Sequence, residues 1–251
     1  MTTAAPPPTA LSATQRPWQF SLLKLLIWFV VLSLVLAFCR AGWVAISFVR
    51  NEGTRLSCLG NHTQLSVALH EYHDQWGSFP LAYTVDAAGK PMHSWRVLIL
   101  PYIKPELAAR YNYSEPWDGP NNIQLASEMP RIFCCPACES QRARGETNYV
   151  AVVGPGTPWP GTGVVALAEC TDKNTLLIVE THDSGICWLE PRDLEFSKLP
   201  LELNPGSKPS ISSRHPGRVN YSTLDGQGRT LHEGETTPAQ LKALITVTAG
   251  D

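Results

Sequence analysis

An apolar run near the amino terminus sets the first constraint on this chain. From Phe20 to Val49, 24 of 30 residues are apolar, and the exceptions are Ser21, Lys24, Ser33, Arg40, Gly42 and Ser47. A helix that is apolar all round has to be surrounded by something other than water. The uncharged stretch Leu25–Cys39 holds 15 residues, about 22 Å of helix against about 30 Å of hydrocarbon. Lys24 and Arg40 can snorkel their charges outward, so Phe20 to Trp43 spans a bilayer, with Trp18 and Trp43 at its interfaces. No small-x-small cleavage site follows the run, and bulky Phe38 precedes Cys39 where a lipoprotein signal needs a small residue. The run therefore reads as a retained single span, not a cleaved signal peptide. Arg16 and Lys24 lie on one side of it and Arg40, Arg50 and Arg55 on the other, so charge gives no direction.

The charge distribution separates an anchor from a body. The first 50 residues carry four basic side chains (Arg16, Lys24, Arg40, Arg50) and no acidic one, whereas the other 201 carry 16 basic and 22 acidic. An acidic body is a poor partner for nucleic acid, which needs clustered Lys and Arg. Three parts are expected: a disordered Pro/Thr/Ala tail over 1–17, a transmembrane segment over 18–49, and one globular body over 50–251.

The body opens as a helix. Cys58, His62, Leu65, Leu69, Tyr72 and Trp76 recur at 4-3-4-3-4 spacing, one face of a helix that Gly77 and Pro80 end. Beyond Pro80, short apolar runs at Val97–Leu100, Tyr149–Val153, Gly163–Leu167 and Leu176–Val179 predict strands between Pro and Gly clusters. Val219–Leu224 and Arg229–Leu231, joined by Asp225-Gly226-Gln227-Gly228, predict a hairpin, and Pro238 opens a closing helix over Ala239–Leu244 with a frayed end. The fold class is α+β: a long N-terminal helix, its first half in the membrane, packed on an antiparallel sheet.

A set of words spread along Arg55 to Leu244 resembles a known family. Cys58-Leu59-Gly60-Asn61-His62-Thr63-Gln64-Leu65 is similar to "CSNNLKQI", and Ala68–Asp74 with Gly77–Pro80 to "ALHNYHD…GSFP". Ser94–Leu98 with Leu100–Tyr102 is similar to "SWRVLLLPY", Glu115–Asp118 with Pro120–Asn122 to "EPWDSPHN", Phe133–Pro136 to "F-x-CPS", and Thr147–Tyr149 with Val153–Gly156 to "TNY…VGPGT". Nine residues lie between His215 and Asp225-Gly226. Together these words resemble the planctomycete-type pilin-like proteins named for an H-X9-DG motif, the DUF1559 family. The resemblance implies a pilin-like fold, a type II secretion-like relationship and a body outside the cytoplasm.

The amino terminus departs from that family's prepilin signal. Gln19 precedes Phe20 where a glycine cleavage site is usual, and Lys24 stands where the pilin glutamate would be. In the family that carboxylate is thought to pair with the next subunit's amino terminus, and a lysine reverses the charge. The resemblance thus supports a pseudopilin-like membrane protein more than a filament subunit.

Several residues invite a chemical reading. His70, Glu71 and His73 suggest zinc, but the histidines are i and i+3 where a gluzincin needs i and i+4. Cys134, Cys135 and Cys138 form a CC-x-x-C cluster with no second knuckle to complete a zinc site. Outside the cytoplasm disulfides are favoured: Cys58 with Cys134, Cys135 or Cys138, and Cys170 with Cys187, among 15 full connectivities of six cysteines. His215, Asp225 and Gly226 read as hairpin registration plus a buried polar contact. Asp172, Glu180 and Asp183 lack EF-hand spacing for calcium. No P-loop, nucleophile elbow or triad context is seen.

The expected protein is single-pass in the cell membrane, bound to lipid through 20–43, with an extracytoplasmic body. No cofactor, metal or catalytic residue is expected. It acts without enzymatic chemistry, through contacts with other pseudopilin-like or envelope proteins. The alternative is an anchored binding module or metal-dependent enzyme using His70/His73 or His215/Asp225.

Overall fold

The computed structural model describes residues 21–247. The expected tail over 1–17, Trp18 and the frayed end beyond Val247 lie outside the described residues. The chain divides after Val49 into two units.

The first unit is helical from Leu22 onward, the opening part of helix α1 (Leu22–Trp76). Every described side chain from Ser21 to Val49 is exposed except half-buried Ser47. Its serines serve themselves: Ser33 Oγ donates to the Phe29 carbonyl and Ser47 Oγ to the Val44 carbonyl, both at 2.8 Å. Each bond returns a hydroxyl to the backbone of its own helix. Among the described residues α1 is the one helix long and apolar enough to cross a membrane.

The second unit begins at Arg50, still within α1. Here the helix acquires an inward face, burying Cys58, His62, Leu65, Ser66, Ala68 and Leu69. The expected stripe continues to half-buried Tyr72, but Trp76 is 64% exposed, its indole donating to Tyr102 Oη at 3.3 Å. Gly77 ends the helix at φ +79°, returning its N–H to the His73 carbonyl at 2.7 Å.

After α1 come a two-stranded ribbon, β1 (Tyr83–Val85) and β2 (Pro91–Ser94), and three single-turn helices, α2 (Trp95–Leu98), α3 (Leu100–Ile103) and α4 (Pro105–Ala108). A loop-rich segment with one further turn, α5 (Glu139–Arg142), leads to β3 (Tyr149–Val150), β4 (Val152–Val153), β5 (Leu176–Glu180), β6 (Leu194–Glu195), β7 (Arg218–Thr223), β8 (Gly228–His232) and α6 (Pro238–Ile245). The main sheet runs β3-β5-β7-β8, antiparallel throughout, while β4 and β6 form a small parallel pair. This is the expected α+β class, a long N-terminal helix with antiparallel sheets.

Two apolar cores form. One joins Cys58, Leu65 and Leu69 of α1 to Trp95, Phe133, Tyr149 and Trp188, and the other joins Val150, Val179, Val219 and Tyr221 to Leu241 and Ile245 of α6. β5 is buried along its whole length, which explains why Leu-Leu-Ile-Val shows no alternation. The α6 amino end is fixed by a reciprocal capping box between Thr237 and Gln240.

Two expected strands are absent. Val97–Leu100 is helical, because Ser94 Oγ caps the Arg96 N–H at 3.2 Å and starts α2. Gly163–Ala166 is irregular and Leu167 opens a short 3-10 turn, both following the end of α1: Phe79 N–H donates to the Val165 carbonyl and the Leu167 N–H to His73 Nε2. Tyr149–Val153 is split at Ala151, whose N–H leaves both ladders to reach Asp193 Oδ1 at 2.8 Å.

Candidate functional site

Four buried side chains from four segments converge. Cys58 comes from α1, Cys135 from the CC-x-x-C loop, Glu180 from the end of β5, and His215 from the approach to β7; their ligand atoms all lie within 4.8 Å of one another. Cys135 Sγ is 3.3 Å from His215 Nε2, which is 3.6 Å from Glu180 Oε1. Cys58 Sγ contacts Glu180 Oε1 and lies 3.0 Å from Tyr149 Oη.

Each donor is placed by its own element. Cys58 is on the buried face of α1, and Tyr149, paired with Glu180 across β3 and β5, stands against it. Glu180 is held from behind: the Asn220 N–H donates to Oε2 at 2.8 Å and Asn220 Nδ2 to Oε1 at 3.4 Å. The cysteine loop is pinned by Asn148, whose Oδ1 accepts from the Cys135 N–H and from Cys134 Sγ, both at 3.1 Å. Asn61 Nδ2 donates to Tyr149 Oη at 3.2 Å, which leaves the phenol proton free to point at Cys58.

The electrostatics are those of a closed interior. Burial pushes the Cys58 thiol up. Cys138 draws the Cys135 thiol down, but Cys58 and burial outweigh it and leave Cys135 at about 11. Burial disfavours the charged form of Glu180, yet His215 and His62 hold its carboxyl below the usual range. Burial alone would lower His215, and its hydrogen bonds to Cys135 and Glu180 raise it to about 10. His62, one turn beyond Cys58, is pushed down to about 4 by burial, and both its ring nitrogens are buried without a hydrogen-bond partner. Two thiols, a carboxylate and an imidazole at this spacing are a donor set able to hold a metal ion.

The other residues singled out in the sequence go elsewhere. Cys134 and Cys138 are buried thiols beside Cys135, Cys187 is a half-buried thiol, and Cys170 donates to the Ala166 carbonyl at 3.8 Å. The two halves of the H-X9-DG motif part company at opposite ends of β7. His215 enters the buried cluster, while Asp225 organises the hairpin turn, accepting from the Gln227 N–H at 3.0 Å and from Arg229 at 2.8 Å. Gly226 supplies the turn's positive φ, +82°. His70 and His73 do not converge either. His70 spans from the Ser66 carbonyl (2.8 Å) to the Leu224 carbonyl (3.0 Å), and His73 Nε2 accepts the Leu167 N–H. Asp172 caps the loop before β5, Glu180 ends that strand, and Asp183 pairs with Lys208, so these three form no common site.

Asn61, His62, Asn148 and Tyr149 stand within the motif words, which do not mark them as parts of a site. Two signals were present: Cys58 and His62 stand at i, i+4 on a buried stripe, and Glu180 closes a wholly apolar strand where a charge needs a partner.

Comparison with curated proteins and with solved structures finds no match. A family profile described as "Protein of unknown function (DUF1559)" matches residues 49–199. The matched range contains Cys58, Cys135 and Glu180, whereas His215, Asp225 and Gly226 follow it. It runs over more than half of the chain, from the body's first helical turns through β6, and on that extent the chain belongs to the DUF1559 family.

Proposed function

We propose that this chain is a single-pass, non-enzymatic, pseudopilin-like protein of the cell envelope, its body extracytoplasmic, that works through protein–protein contacts. Helix α1 is the observation that carries this reading. It starts as an apolar cylinder with no buried side chain and, from Cys58, becomes a core helix of the body. An anchor continuous with a core helix is the pilin-like plan, and the resemblance of the motif words to pilin-like proteins supports it. Lys24 in place of an acidic residue argues for a tethered relative in preference to a filament subunit.

The test uses the full chain in its native membrane. After alkaline washing the protein is expected in the membrane pellet. Protease added from outside should remove an epitope at Asp251, and crosslinking should give heteromeric adducts. A body protected from outside protease, or a chain that stays monomeric under all crosslinking conditions, overturns the reading.

A further inference from the structure

We propose that Cys58, Cys135, Glu180 and His215 form a closed structural site for one divalent transition-metal ion of the zinc class. The ion would tie helix α1 to the central strand, the cysteine loop and the approach to β7.

Two of the separations fit a tetrahedron, while Cys58 Sγ and Glu180 Oε1 stand closer than such an edge and would part to admit the ion. With zinc–sulfur bonds of ~2.3 Å and zinc–nitrogen or –oxygen bonds of ~2.0 Å, ligand atoms stand roughly 3.3–3.8 Å apart. The Cys135–His215 separation of 3.3 Å and the His215–Glu180 separation of 3.6 Å are edges of that size. Four protein donors complete the coordination number and all four side chains are buried, which marks a structural site. Two sulfur donors select a borderline-soft ion against magnesium or calcium.

The surroundings are those of a ligand shell. Asn220 grips Glu180 through Oε2 and turns Oε1 toward the cluster. The relay Asn61 to Tyr149 to Cys58 directs a proton at the sulfur and favours its thiolate. His62 carries two bare ring nitrogens on the same helical face, close enough to Glu180 and His215 to feel both charges. His215 also lines an open cavity of about 340 Å³ with His182, Ser212 and Glu233. On binding, Cys58 and Cys135 give up their thiol protons to solvent, while His215 binds through Nε2 as the neutral imidazole and Glu180 as the carboxylate.

The competing chemistry is a Cys58–Cys135 disulfide, since these sulfurs are neighbours. The full chain, purified in detergent without chelator and loaded with zinc chloride, is expected to keep about one zinc per chain after desalting. With cobalt chloride in its place, visible d–d bands of tetrahedral cobalt and a thiolate-to-cobalt charge-transfer band are expected. Both should disappear in Cys135→Ser and His215→Ala and persist in Cys187→Ser and His70→Ala. Should the first two variants fail to fold, the wild-type cobalt spectrum and its loss on chelation decide the matter unaided. A chain that retains no stoichiometric zinc, cobalt bands without sulfur charge transfer, or a Cys58–Cys135 disulfide peptide in the non-reduced digest overturns the proposal.

Discussion

Two buried polar centres flank Tyr149, and they are balanced in opposite ways. Arg96 and Asp193, with side chains 0% and 1% exposed, meet at 2.5 Å. Arg96 also donates from Nε to the Tyr149 carbonyl (3.1 Å) and from Nη1 to Ser94 Oγ (2.8 Å). Asp193 Oδ1 also collects the Trp95 indole (3.2 Å) and the Ala151 N–H (2.8 Å), while Oδ2 alone is unpartnered. That centre closes with one cation, one anion and neutral dipoles. The other sets Cys58, Cys135 and Glu180 against a single imidazole, His215, with His62 left bare beside them. A surplus of anion-forming donors at coordination spacing distinguishes a site that receives a cation from one that supplies its own.

The comparison breaks most visibly at the self-contained centre. Asp193→Ala strands a buried guanidinium, and the expected loss is about 3–5 kcal/mol in denaturant unfolding of the full chain. Arg96→Met combined with Asp193→Leu should recover most of it, and a double variant no better than the single one would show that packing, not charge, is at stake. At the cysteine centre the matching operation is removal of the ion. At a free-ion concentration of about 100 times Kd, chelation should lower stability by about 2.7 kcal/mol. The chelator should have no effect on Cys135→Ser, and an equal drop there would place the ion elsewhere.

Smaller effects sharpen the contrast from outside both centres. Gly226→Ala puts a Cβ at φ +82° with no side chain closer than His70, 3.6 Å away. The expected loss is about 1–2 kcal/mol with bound metal unchanged, since the Asp-Gly half of the motif only builds the turn. Loss of metal in this variant would reconnect the two halves. The smallest effect is expected at His93, which bonds Tyr111 Oη at 2.8 Å. Burial lowers its pKa against the opposing pull of the Tyr113 carbonyl. The native imidazole therefore resists a proton that the unfolded chain accepts near pH 6.5. Its contribution is present above that pH and is lost as pH falls below it. Stability should decline from pH 7 toward 5, and His93→Gln should flatten that slope.

Local signals made the frame readable. The apolar run, the 4-3-4-3 stripe ended by Gly77, and the Asp-Gly hairpin each depend on residues close in sequence, and each stands where expected. Val97–Leu100 failed because one serine cap outweighed β-favouring side chains, and Gly163–Leu167 failed because its backbone bonds go to α1 and the turn after it, not to a strand. The cysteine loop has no second two-ligand knuckle along the chain to complete it. Cys58, Glu180 and His215 are separated by 122 and 35 positions, and no local spacing rule reaches that far.

The sequence by itself determined an apolar helix long enough to cross a membrane, the α+β class and the family, because hydropathy, helical periodicity and ordered words are properties of neighbouring residues. Tertiary structure alone decided that His215 leaves Asp225 for Cys58, Cys135 and Glu180. The reason is physical: a charge at the end of a fully buried strand must find partners in space, and antiparallel pairing with a packed helix brought them from three distant segments.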